Sequence, residues 1–279
     1  MVFGSHQQWY GRLILEFPVR HGKTQLLPHM ATAPLKVLRP FYPEGADVCH
    51  AVILHTAGGV VGGDRLRVDL NLKPAAHSLI TTPAAAKIYR SNGLYSQQTI
   101  QIQVGTGATL EWLPQETIVF NGAAYRQDLR VELAEGASWL GWEISRFGRT
   151  ARGERFIRGE WRSHVEIWQQ GRPLWIDRQL VKGGSGMLDS INGLAGQPVV
   201  GTFSLLGQPA TPEVVEKART SMGAQVHQGL AGVTRLADGL LCRYSGASTA
   251  EARQWFTQVW HLVRLHYYRR PAQKPRVWY

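Results

Sequence analysis

Three carboxylates stand where a charge is costly. Asp64 closes the glycine-rich stretch HTAGGVVGGDRL (55–66), Glu143 sits in WLGWEISRFG, and Asp177 sits in PLWIDRQL. Inside apolar, aromatic-rich strands an ionised carboxylate is destabilising unless it is paired, hydrated or metal-bound. Two arrangements answer that cost. The neighbouring Arg65, Arg146 and Arg178 could form three separate ion pairs. Alternatively the carboxylates could line a wet interior passage, whose oxygens suit hard or borderline divalent cations in transit. Cys49, His50 and His55 add soft and borderline ligand types. They make a weak metal site at most, because adjacent residues of a strand point to opposite faces. A core cysteine and a hydrogen-bonded histidine are the default.

The glycines Gly58, Gly59, Gly62 and Gly63 invite comparison with a phosphate-cradling loop, since Gly58 and Gly63 have the spacing of G-x-x-x-x-G-K-[ST]. The lysine position holds Asp64, which would repel phosphate. The following Leu66, Val68, Leu70 and Leu72 alternate as a strand, where a helix is required. No G-x-S-x-G elbow, CxxC pair or H-E-x-x-H helix supplies another catalytic setting.

The elements that must position these residues are mostly strands. Up to residue 205, Gly, Pro or Asn punctuates runs in which apolar residues alternate: RLRVDLNL, HSLITT, QTIQIQV, DLRVEL, SWLGWEI, and a hairpin of HVEIWQ and PLWIDRQL about Gln170-Gly171. Strand, Gly/Pro-Ala turn, strand recurs with turns at Ala76, Ala108 and Ala137, about thirty residues apart, which predicts a solenoid-like stack. The expected fold is therefore all-β dominated, with a β-rich part (1–205) and a helix-containing part (206–279) in a single domain over 1–279. In the second part TPEVVEKARTSM has Thr211 as N-cap and Pro212 at the first helical position. STAEARQWFTQVWHLVRLHYY opens with Ser248 and Glu251 as a capping box and carries Phe256, Val259, Val263 and Tyr267 along one face. Trp255, Trp260 and Tyr268 lie off that stripe. They are either well buried or, with Arg269 and Arg270 of the basic tail, a surface for a partner.

A formal charge of +11 favours an acidic partner, and arginines crowd into residues 146–162. That segment fits a solvated face, a protein interface or a nucleic-acid site. Two distant cysteines build no disulfide framework, and no run approaches the ~20 apolar residues that cross a bilayer. The start MVFGSHQQWYGRLILEF has no leader pattern, so a cytoplasmic location is expected.

Four long segments, LRPFYPEGADVCHAVILHTAGGVVGGDRL (38–66), LITTPAAAKIYRSNG (79–93), LEWLPQETIVFNGA (110–123) and FGRTARGERF (147–156), closely resemble the urease accessory family UreD, also called UreH. The resemblance runs from Trp9 to the terminal PRVWY. One departure is HTAGG, where the family usually has prolines before the glycines. The resemblance implies a non-enzymatic scaffold, mainly β with two helices. It would bind UreF directly and UreG through UreF, in a dimer of that assembly, and dock on apo-urease, with neither nucleic acid nor membrane as partner. It implies no tightly bound cofactor but nickel(II) in transit through an internal channel, whose acidic positions fall on Asp64, Glu143 and Asp177. It also makes the glycine stretch a turn that lets segments pack closely around Asp64. The alternatives are a basic β-rich nucleic-acid-binding protein and a solenoid carbohydrate enzyme with two carboxylates across an open groove.

Overall fold

The computed structural model describes residues 8–227 and 229–278; residues 1–7 of MVFGSHQQWYGRLILEF and the final tyrosine of PRVWY lie outside the described residues. The alternation of RLRVDLNL becomes the strand Arg65–Leu72, with Leu66, Val68, Leu70 and Leu72 buried and the intervening residues turned outward. Each such strand crosses one sheet, turns sharply, and returns in a second sheet, giving a β-solenoid of about four turns.

The first sheet runs in the order Arg172–Lys182, Glu160–Gln169, Ala124–Leu133, Ser96–Val104, Arg65–Leu72, Tyr10–Phe17, Leu27–Ala31. Its five inner strands are parallel and its two edge strands antiparallel. In the second sheet His77–Thr81, Thr109–Leu113 and Ser138–Phe147 repeat that parallel stacking, and Val199–Leu206, Gly239–Gly246 and Leu230–Leu236 extend it in antiparallel fashion. The three alanine turns fall on top of one another. Ala76, Ala108 and Ala137 are each fully buried, and Thr109 N–H donates to Ala76 O (2.8 Å) while Ser138 N–H donates to Ala108 O (2.9 Å). Only a small side chain fits where successive coils meet at the repeat distance of about 4.8 Å. The Gln170-Gly171 hairpin is also present, with φ of 50° and 76° as its primed turn requires.

The strands of the second sheet are buried on both faces, as their near-continuous apolar sequences dictate. One face packs against the first sheet; the other is covered by two helices, α1 (Pro212–Gln225) and α2 (Thr249–Val263). Thr211 and Ser248 cap them, accepting from Val214 N–H (3.3 Å) and Glu251 N–H (3.2 Å). α2 continues into one π-helical turn, Arg264–Tyr268.

The aromatic residues off the apolar stripe are placed inside. Trp255 and Trp260 are 0% exposed, because α2 is covered by the sheet on one side and by α1 and the returning tail on others. Trp142, Trp260 and Trp278 meet there with centroids 5.6–6.3 Å apart. Tyr268 is half-buried, Arg269 is exposed, and Arg270 is ion-paired with Asp47. The tail is therefore a strap across the second sheet, with Trp278 Nε1 donating to Thr81 Oγ1 (2.9 Å).

Candidate functional site

The glycine stretch is a loop folded flat on the next coil. A Cβ on Gly59 would lie 2.8 Å from Lys87 O, and one on Gly62 2.9 Å from Leu94 O, so only glycine permits this approach. Gly58 and Gly63 take positive φ (73° and 98°), which turns the chain in and out of the loop. Asp64 ties it shut: its carboxylate, 0% exposed, accepts from Val61 N–H (2.9 Å) and Trp9 N–H (3.0 Å).

The expectation of ion pairs with sequence neighbours is not met. Arg65 donates to the backbone oxygens of Asp64 and Tyr95; Arg146 donates to Thr150 and Ala247; Arg178 donates to His164. The reason is the period-two geometry of strands, which sends neighbours to opposite faces. Asp177 is ion-paired instead with Arg243 of the facing sheet (3.0 Å), and accepts from Gln179 Nε2 (2.7 Å). Among the described residues Glu143 has no cation partner. Its oxygens accept from Gln127 Nε2 and Ser163 Oγ (3.2 Å). Burial, reinforced by the nearby Asp177 charge, pushes its pKa up to about 7 against the hydrogen bonds from Ser163 and Gln127. Protein surrounds Glu143, yet it keeps intermediate accessibility, as a side chain on the wall of a narrow cleft does.

Around these residues the interior carries a polar row. The ladder register aligns Gln98, Gln127, Ser163 and Gln179 on four adjacent strands, all on the face turned toward the second sheet. Tyr125 OH donates to Gln98 Oε1 (2.9 Å), with Gln127 Oε1 at 3.4 Å. Burial first, then the Glu143 and Asp128 charges, push the Tyr125 phenol up, so it remains a donor. The polar path thus runs Arg243, Asp177, Gln179, Glu143, Gln127, Tyr125, Gln98. Asp64 lies beyond it, on the row continued by Ser96 and Tyr125, with Gln97 N–H donating to Asp64 O (2.8 Å). Two strand spacings, about 10 Å, separate it from Tyr125 across the sheet.

The path opens to solvent at the Arg243 end. A cavity of about 310 Å³ lies between Gln179, Leu194, Thr202, Leu230 and Arg243, and two voids of about 10 Å³ each, room for one water, lie at Glu143 and share Thr202 with its wall. Cys49 and His50 do not join this site or each other. Cys49 is in the inter-sheet core, its thiol pushed up to about 11 by burial, whereas His50 faces the helices and contacts Glu44 (2.7 Å). His55 is half-buried and held below the usual imidazole range by burial, against the pull of Asp64. Among the described residues no three His, Cys, Asp or Glu side chains converge as a metal cage.

The path residues Gln98, Gln127, Ser163, Gln179 and Arg243 escaped the sequence reading. The available signal was a polar residue interrupting the apolar inward positions of each strand, as in Tyr125, Gln127, Leu129, Val131.

A family model described as "UreD urease accessory protein" matches residues 10–279. Curated relatives named "Urease accessory protein UreD" include those of Nostoc sp., 62% identical over 97% of this chain and 96% of the relative, and Trichormus variabilis, 59% identical over 100% and 99%. A more distant one, from Methylobacillus flagellatus, is 38% identical over 98% and 95%. With a match that spans the solenoid, the helices and the strap, the chain belongs to the UreD family of urease accessory proteins.

Proposed function

We propose that this chain acts in urease maturation as a non-enzymatic scaffold that binds UreF, reaches UreG through it, docks on apo-urease, and passes nickel(II) along the polar path between its sheets. The observation that carries the reading is Glu143: a carboxylate enclosed by protein, in contact with water-sized space, without a cation of its own. A purely structural carboxylate at such depth would be paired.

The geometry suits a cation that has shed most of its water. At the two voids, oxygens of Glu143, Ser163 and Thr202 would stand in for hydration. With its pKa pushed up to about 7 by burial, Glu143 can release a proton as a divalent cation arrives, which offsets one of the two positive charges. At the mouth Asp177 is balanced by the Arg243 guanidinium. Donors are spread along a path and not gathered in a cage, which favours movement over tight retention.

The test is the nickel content of urease matured with variants whose complexes assemble normally. Glu143→Ala and Asp177→Ala should lower nickel loading while UreF, UreG and urease still co-purify. Glu143→Lys should lower it further, since cation–cation repulsion at ~4 Å and an effective dielectric of about 20 is roughly 4 kcal/mol. Full loading with both the alanine and lysine variants would exclude the path.

A further inference from the structure

The third side of the solenoid, where each coil turns from the second sheet back to the first, is built from the four motif segments singled out above. Val60 pairs with Ile88, Phe120 N–H donates to Ile88 O (2.9 Å), Gly148 N–H to Val119 O (2.8 Å), and Gly122 N–H to Arg158 O (2.9 Å). This stacking lines side chains up in three rungs. Ile118 lies between Lys87 and Arg146 in the parallel ladder. Phe120 meets Tyr89 edge-on (5.0 Å) and carries the Arg149 guanidinium over its face (4.5 Å). Gly122, with Arg90 lying over it, bridges to Arg158.

Arg149 of this face is paired with Glu154, but most of its cations are not neutralised as they are elsewhere. On the open face of the first sheet Arg67, Arg126, Arg130 and Arg162 each have a carboxylate partner within 2.8 Å. Here, among the described residues, no carboxylate pairs with Lys87, Arg90, Arg152 or Arg158, and Arg146 has a buried Nε without a partner. Leu94, Tyr95 and Ile157 beside them are 41–53% exposed. Cations without a carboxylate partner on either side of Ile118, continued by Arg90 and Arg158, on a hydrogen-bonded backbone, are the recognition chemistry of arginine-rich protein interfaces.

We propose that these rungs form a docking surface for an acidic segment of a partner protein, with carboxylates about 10 Å apart, two strand spacings, straddling an apolar residue. This rests on the reading above that the chain works inside a urease-maturation assembly. Nucleic acid is the poorer fit, because the apolar Ile118 stands between Lys87 and Arg146 where a phosphate backbone would need a continuous basic track.

The experiment co-expresses the chain with its maturation partners and apo-urease and compares wild type with Lys87→Glu/Arg90→Glu/Arg158→Glu and with the milder Lys87→Gln/Arg90→Gln/Arg158→Gln, each checked for native circular dichroism. The glutamate variant should retain at least tenfold less of one partner, the glutamine variant less severely, and the wild-type complex should weaken as salt rises. Undiminished co-purification of every partner with the folded glutamine and glutamate variants overturns the surface while leaving the maturation reading standing. Failure of wild type to hold any partner overturns both. Capture of a 30-nucleotide DNA by wild type, in competition with the partners and lost in the variants, overturns it in favour of nucleic acid.

Discussion

Two acidic residues on neighbouring strands of the second sheet are buried in opposite ways. Glu111 faces the helices in a compensated network. It meets His77 (2.6 Å), the Trp260 indole N–H and Arg264 Nε (3.6 Å), and Arg264 in turn donates to Glu44 (3.2 Å), which contacts His50. Burial alone would raise the pKa of Glu111, but hydrogen bonding to His77 and the charges of His77 and Arg264 hold it below the usual range. Glu143 faces the other way, toward the first sheet, and has hydroxyl and amide donors but no cation. Its pKa moves up. The same residue type in similar aromatic strands is structural where it is paid in full by cations, and free to exchange charge where it is not.

The largest effect should come from breaking the compensated side. Arg264→Met takes from Glu44 and Glu111 the guanidinium they share, leaving only their histidine contacts, and should cost about 3–5 kcal/mol, read as a lower urea midpoint. Replacing Glu111 by Gln in the same background should recover part of it. If Arg264→Met is silent, the network is not what fixes the helix. Next is the strap: Trp278→Ala should cost about 2–3 kcal/mol, because its indole packs on Trp142 and Trp260. Removal of residues 269–279 should then destabilise the fold as well as any complex; a truncated chain with an unchanged thermal midpoint would show the strap to be idle. The smallest effect, with opposite sign, belongs to the uncompensated side. Wild type has its raised Glu143 pKa as a stability contribution complete below pH 4.5 and lost as pH rises to about 7. Glu143→Gln should therefore match wild type at pH 4 and exceed it by roughly 1–3 kcal/mol at pH 8. Destabilisation by Glu143→Gln at pH 8 would erase the contrast between the two regions.

What the sequence makes visible follows from locality. Ala76, Ala108 and Ala137 are legible because coil stacking repeats the same steric demand in each coil. The hairpin at Gln170-Gly171 and the caps Thr211 and Ser248 are legible because each is decided within a few residues. Trp255 and Trp260 were ambiguous because a helix covered on several sides has no single apolar stripe to mark its buried face. The pairing of Asp177 with Arg243 joins distant strands of facing sheets, and the row Gln98, Gln127, Ser163, Gln179 exists only once the register is known. Glu111 carried the same signal as Glu143, a carboxylate in the aromatic strand LEWLP, and was passed over.

The ladder that aligns those polar residues also makes the gene intolerant in a specific way. Because side chains alternate, deleting the codon of Ala124 or Tyr125 would swing Arg126 inward and Gln127 outward, severing the path while leaving every other strand's pattern intact. Length variation within the family should therefore gather at the corners between strands and be purged from the strands that carry the polar row.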